Sequence, residues 1–158
     1  MLDFWIRSII KTMSKTQHLI GKTLRELGYT GSYVVYGPVT DQESYEEKVK
    51  MVTGVDETDS AILGISTIPY TQFEPKYTEV KNAYPMELLR VERDKRLAET
   101  DWTQNPDVPE ATRNAWVTYR QALRDLPSTA TPTLDSDGDL DKSSVAWPTK
   151  PWLNKYLS

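Results

Sequence analysis

Apolar residues recur at three- and four-residue intervals over most of this chain, broken by two short runs of another kind. Leu2, Trp5, Ile9 and Met13 would share one face of a short N-terminal helix. Ile20, Leu24 and Leu27 carry the same spacing after Ser14, a candidate cap, and Gly28 ends the run. The two interruptions are "YVVY" at Tyr33–Tyr36, closed by Gly37 and Pro38, and "SAILGIS" from Ser60, both with strand propensity. Between them, "TDQESYEEKVKMVTG" reads as a helix. Thr40 or Asp41 caps it, Glu43 and Glu46 lie near its positive end, Lys48 and Lys50 near its negative end, and Gly54 closes it. Strand, helix and strand in that order predict a small α/β layer.

Three further helical patterns follow. Phe73, Tyr77 and Val80 form one stripe behind Thr71 and Glu74, which have capping-box spacing, with Pro75 in or just after the first turn. Met86, Leu89, Arg93 and Leu97 form the next, with Pro85 suited to a first helical turn. After a "DWTQNP" linker, Ala111, Ala115, Tyr119, Ala122 and Leu126 line a face that Trp116 and Leu123 broaden, and Pro127 marks its end. A short linker between two such helices predicts an antiparallel hairpin. From Ser128 the chain loses large apolar groups, and "STATPTLDSDGDLDKSS" predicts a mobile loop. "VAWPTKPWLNKYLS" then brings Trp147 and Trp152 on a path that Pro148 and Pro151 keep extended. Trp147 is expected to lie across the hairpin against Trp102 or Trp116.

The fold class is therefore α+β and mostly helical. An amphipathic arm (1–13) precedes a small α/β region (14–83), a helical hairpin (84–128) and an acidic loop with an extended Trp/Pro tail (129–158). The arm is too short to span a bilayer and lacks the marks of a signal peptide, so it is expected to pack on its own domain or a neighbour. Met13 is a second candidate start.

Composition removes several chemistries. The chain has 158 residues, a net charge of −4, no cysteine and a single histidine, His18. Disulfides, thiolate nucleophiles, cysteine zinc sites and sites with two imidazoles are excluded. The acidic balance carries no electrostatic footprint for nucleic acid. No cofactor, metal, nucleic acid or membrane partner is expected, and His18 reads as a structural residue of its helix.

Asp101 and Asp107 flank a tryptophan, as the carboxylates of a glycoside hydrolase can. Asp101-x-x-Gln104 and Asp107-x-x-Glu110 also fit helix capping, which accounts for an aspartate without catalysis. In "DSDGDLD", Asp135, Asp137 and Asp139 have the spacing of calcium ligands, yet position six is Leu140 and position twelve is Ala146, where such a loop needs glycine and a carboxylate. A solvated loop is the expectation. Arg120 and Arg124, four apart, repel one another, and Glu92, Asp94 and Asp101 are the candidate acids to pair them. Tryptophan and arginine are also the residue types that dominate binding hot spots.

The stretch "LLRVERDKRLAETDWTQNPDVPEATRNAWVTYRQALRDLP", followed by "WPTKP", resembles the bacteriophage tail assembly chaperone family. The resemblance rests on Thr100, Asp101, Trp102, Thr103, Pro106 and Asp107, then Trp116, Tyr119, Arg120, Leu123, Arg124, Asp125 and Pro127, then Trp147, Pro148, Lys150 and Pro151. It covers Pro85 to Pro151 and leaves the N-terminal part untouched. It implies a non-enzymatic phage protein that binds tail or tail-fibre proteins during assembly in the host cytoplasm, as part of a homo- or hetero-oligomer. The alternative is a structural component of the virion tail, at the baseplate or the tail-fibre attachment. Trp102, Trp116, Tyr119, Arg120, Arg124 and Trp147 are the candidate partner-binding residues.

Overall fold

The computed structural model describes residues 15–151. The expected N-terminal arm and Trp152 lie outside the described residues. The chain divides into two compact units, residues 1–83 and 84–158.

In the first unit, residues 15–26 are helical (α1). Ile20 and Leu24 are fully buried, and the buried Thr23 hydroxyl donates to the Leu19 carbonyl. The helix stops where Gly28 takes a φ of 89°. The Gly28 amide then donates to the Arg25 carbonyl and the Tyr29 amide to the Leu24 carbonyl, which satisfies two of the helix's orphan acceptors. His18 is exposed on this helix.

Strand β1 (Tyr33–Val35) follows, then helix α2 (Gln42–Lys48). Asp41 caps α2 by accepting from the Ser44 amide, while the Ser44 hydroxyl oxygen accepts from the Asp41 amide. The helix expected to run to Gly54 ends at Lys48. Val49–Val55 is strand β2, with Val49 and Met51 buried and Lys50 and Val52 only partly so. That alternation, carried by β-branched residues, outweighs a helical continuation once strands flank it on both sides. Strand β3 (Ala61–Ile65) completes an antiparallel sheet in the order β1-β2-β3. The expected α/β layer is thus an antiparallel meander in which α2 joins two hydrogen-bonded neighbours and makes no parallel crossover.

Helix α3 (Tyr70–Ala98) is one helix of 29 residues where the sequence predicted two. Pro75 and Pro85 lack the amides that would donate to the carbonyls of Thr71 and Lys81. Both acceptor residues are exposed, on the side of the helix where a lost bond costs least, and the helix continues through both prolines. The Thr71–Glu74 capping box does not form. The Pro69 carbonyl instead accepts from the Gln72 and Phe73 amides, and Glu74 accepts from the Thr78 hydroxyl.

The stripe Phe73, Tyr77 and Val80 is buried as its spacing predicts. Phe73 stacks on Tyr45 at 4.3 Å and on Tyr77 at 5.1 Å, and these rings pack with Ile20, Leu24, Val35, Val49 and Met51 into one core. The buried Tyr45 hydroxyl donates to the Ile68 carbonyl at 2.9 Å, and burial pushes its phenol above the usual range.

Phe73→Ala is expected to cost about 3–5 kcal/mol in chemical denaturation, as for other buried aromatic truncations. Hydrogen-bond donors around the Asp41 carboxylate, chiefly Ser44, hold it below the ordinary carboxylate range, and Asp56 is held low by Thr58 and Ser60. A depressed native pKa stabilises above the unfolded value and is lost as pH falls through the native one. Thermal stability should therefore drop as pH falls below about 4. Asp41→Asn keeps the cap, removes the titration, and should make that drop shallower in a series of melting curves.

Candidate functional site

The second unit is built where α3 ends. The Thr100 amide donates to the Leu97 carbonyl, and its hydroxyl reaches the carbonyls of Arg96 at 3.1 Å and Leu97 at 2.9 Å. Asp101–Gln104 form a short 3-10 turn, locked by the buried Thr103 hydroxyl donating to the Thr100 carbonyl at 2.7 Å. Helix α4 (Glu110–Thr129) then begins behind Pro109.

Arg120 of α4 reaches this turn. Its Nη1 donates to the Leu97 carbonyl at 2.7 Å and to Thr100 Oγ1 at 2.8 Å, and its Nη2 donates to Asp101 Oδ1 at 2.7 Å. The arginine is 7% exposed, whereas the Asp101 side chain is 66% exposed. A cation at the negative end of a helix is favoured by the dipole, and here it adds a charged donor to a terminal carbonyl that Thr100 also bonds.

Two capping expectations are corrected here. Asp101 does not cap the turn, because its carboxylate is taken by Arg120, and Thr100 precedes the turn without a side-chain cap bond. Asp107 is exposed and does not cap α4 either. Neither aspartate therefore has the local role its spacing suggested, and Asp101 finds its partner across the hairpin.

The buried face of α4 is also rotated from the expected one. Trp116, Tyr119, Arg120, Leu123 and Leu126 are buried, while Ala111, Ala115 and Ala122 are exposed. Large side chains remove far more apolar area from water than alanine does, so they set the face. Trp116 meets Tyr119 edge-on at 5.4 Å, and Trp102 leans on Trp116 at 6.4 Å with 47% of its own surface exposed. The Tyr119 hydroxyl and Arg120 Nε are buried without a hydrogen-bond partner.

Trp147 closes the arrangement. It packs on Trp116, Tyr119 and Leu123 and also on the neighbouring cluster of Leu89, Leu126 and Val145. The Arg96 guanidinium lies 3.9 Å above its ring, and the indole N–H donates to the Lys142 carbonyl at 3.2 Å. Arg96 also pairs with Glu92 at 3.1 Å, and Lys150 pairs with Glu99 at 3.3 Å. Arg93 pairs with its neighbour Asp94. Arg124 is exposed and forms no ion pair with a described residue, so the acids proposed for it serve other cations. Arg96, Thr100 and Thr103 were missed as parts of this cluster. The two threonines around "DW" were the available signal, since a threonine just after a helix can bond its last carbonyls.

The acidic stretch expected as a mobile loop is bonded to itself. Leu134 bridges Leu140, and the Asp135 carboxylate accepts from the amides of Asp137 and Asp139 at 2.9 Å each. Gly138 supplies the turn with a φ of 73°. Asp141 caps the 3-10 turn Lys142–Ser144 by accepting from the Ser143 amide and hydroxyl, which hold its carboxyl below the usual range. Among the described residues, no group of three or more histidines and acids is arranged to hold a metal ion. No helix among them is long and apolar enough to cross a membrane.

The segment that forms this clasp is the one that a known family shares. Residues 86–152 match the phage tail assembly chaperone protein family. No curated protein and no solved structure matches the chain. The match connects the C-terminal half with phage tail assembly, and the chaperone-like segment contains Arg96, Thr100–Thr103, Arg120 and Trp147 entire.

Removing Arg120 should damage this segment more than removing the charge of Asp101. Arg120→Met removes three hydrogen bonds of a buried guanidinium and leaves the Leu97 carbonyl and the Thr100 hydroxyl only their bonds to each other and to Arg96, and is expected to cost about 2 kcal/mol. Asp101→Asn, at an exposed carboxylate, should cost less than about 1 kcal/mol. Urea denaturation followed by tryptophan fluorescence reads the difference, because Trp102, Trp116 and Trp147 all lie in this unit.

Proposed function

We propose that this chain is a non-enzymatic phage protein that binds a tail or tail-fibre protein while the tail is assembled, acting before the finished virion. The family match over residues 86–152 supports the reading, and the exposure of Trp102 on a rigid turn is the observation that carries it.

The candidate residues divide by burial. Trp116, Tyr119 and Arg120 are inside and serve as the platform, and Trp147 is half-buried on top of it. Trp102 and Arg124 are outside and are the contact residues in this reading. An aromatic anchor held on an ordered turn, with a free guanidinium on the following helix, is the composition of a binding hot spot. Binding then requires no catalytic group, in line with Asp101 being committed to Arg120 and Asp107 standing in an exposed turn.

Affinity capture from infected cells, with mass spectrometry of what is retained, tests the reading. A phage tail or tail-fibre protein should be retained by the full chain, and the yield should fall at least about tenfold with Trp102→Ala, a hot-spot loss. Melting curves should show the variant still folded at the temperature of the capture, with a modest loss from the ring's contact with Trp116. Retention unchanged by Trp102→Ala and by Arg124→Glu would discard these residues as the contact. Finding the chain in purified virions at the stoichiometry of a tail component would replace transient assembly with a structural role.

A further inference from the structure

Strand β3 is an edge strand of the sheet formed by the described residues. Among the described residues β3 pairs with β2 alone. Its sequence, Ala61-Ile62-Leu63-Gly64-Ile65, holds no charge and no proline. Ile62, Leu63 and Ile65 are exposed, Ile65 by 76%, and so is Val55 beside them on β2. Natural sheets ordinarily protect such an edge with a charge, a proline, a bulge or a covering element. The one bulge here lies on β2, between Val52 and Gly54, and leaves β3 regular.

The direction of the backbone groups on β3 follows from the bonds around it. The Val52 amide donates to the Ser32 carbonyl on the β1 side, so Val52 faces β1 and Met51 faces β3. Met51 is opposite Gly64, which therefore directs its amide and carbonyl to β2. At the hairpin end the Asp56 amide donates to the Ser60 carbonyl, so Ser60 also faces inward. Alternation along the strand then turns Ala61, Leu63 and Ile65 outward. Three residues direct their amides and carbonyls away from β2, and Leu63 is the middle one.

We infer that β3 pairs antiparallel with β3 of a second copy of this chain, about a two-fold axis through Leu63. In that register Leu63 faces Leu63 of the other copy, and Ala61 faces Ile65 at both ends. All three outward residues are then in hydrogen-bonded pairs, and six backbone bonds form. The side chains also fit. Each large residue away from the axis meets a small one: Ile65 meets Ala61 and Ile62 meets Gly64. Shifting the strands by two residues leaves an outward residue unpaired at each end and sets Ile65 against Leu63 or beyond the partner strand. The symmetric register is therefore the one that this strand satisfies with itself. The two sheets become one of six strands, and both hairpin edges are removed.

The test is the solution mass of the full chain. Light scattering on a size-exclusion column should give twice 18.1 kDa at high protein concentration and dissociation on dilution. Leu63→Lys and Leu63→Asp each place like charges on the axis and should each give the 18.1 kDa species. Mixing the two variants should restore the dimer, because only a contact through position 63 brings the opposite charges together. Circular dichroism and melting curves should show both variants folded. A second pair at the same strand, Ile65→Lys mixed with Ala61→Asp, keeps the inference testable if either Leu63 variant fails to fold. A monomeric wild type at every concentration overturns the inference, even where another protein is found to occupy the strand. So does a dimer that survives the folded Leu63 variants. Neither result touches the assembly role argued from Trp102.

Discussion

The C-terminal unit depends on one cation at the end of one helix. A helix of 29 residues finishes with carbonyls that have no intrahelical donor, and its end carries partial negative charge. Arg120 answers both needs with three hydrogen bonds to residues 97–101 from a site on the next helix. Because Arg120 is fixed, so are the residues that share its face at helical spacing: Trp116 one turn before and Leu123 one turn after. The register of the hairpin thus follows from a polar contact, and the aromatic cluster is placed by it. Most of the arginine's bonding goes to groups that cannot be ionised, so the exposed Asp101 completes the cluster and does not found it.

Trp147 adds the second constraint. It is far along the chain from both helices and touches the buried clusters of each level. Its ring is covered by Arg96, a residue of α3, and its N–H is taken by the Lys142 carbonyl. The acidic turn before it is closed by its own aspartates, with Asp135 and Asp141 accepting from backbone amides. Those aspartates serve as turn builders. Their bonds hold the loop that leads to Trp147 in a defined turn, which limits the conformations the connection can take.

The stripe Phe73, Tyr77 and Val80 was legible in the sequence, as was Leu89, whereas on α4 Trp116 and Leu123, expected at the margin, lie at the centre of the buried face. β1 and β3 were legible as well, while Asp41 was one of two candidate caps and Asp101 one of three candidate acids for Arg120. What failed did so for identifiable reasons. Val49–Val55 has a pattern compatible with either period, and only the neighbouring strands decide it. Pro85 looks like a helix start because sequence does not show that Lys81, whose carbonyl loses its donor, stands on the exposed side of a continuing helix. Asp101 and Asp107 have capping spacing, but spacing says nothing of a cation arriving from nineteen residues away. At the site, residue types pointed to aromatic and arginine contacts. Which of them face inward was a matter of packing and lay beyond the pattern.

That inward and outward division bears on how such a surface would bind. Trp102 stands on a turn whose two threonine hydroxyls are both spent on backbone carbonyls, and its ring rests on the fully packed Trp116. A partner that covers it buries a large apolar ring without first ordering a loop, and ordering is among the main costs of association. The same indole on a free loop would lose part of its contribution to that cost. Trp102 is held rigidly by the fold and left half in water, which is the arrangement that favours a contact made with another protein.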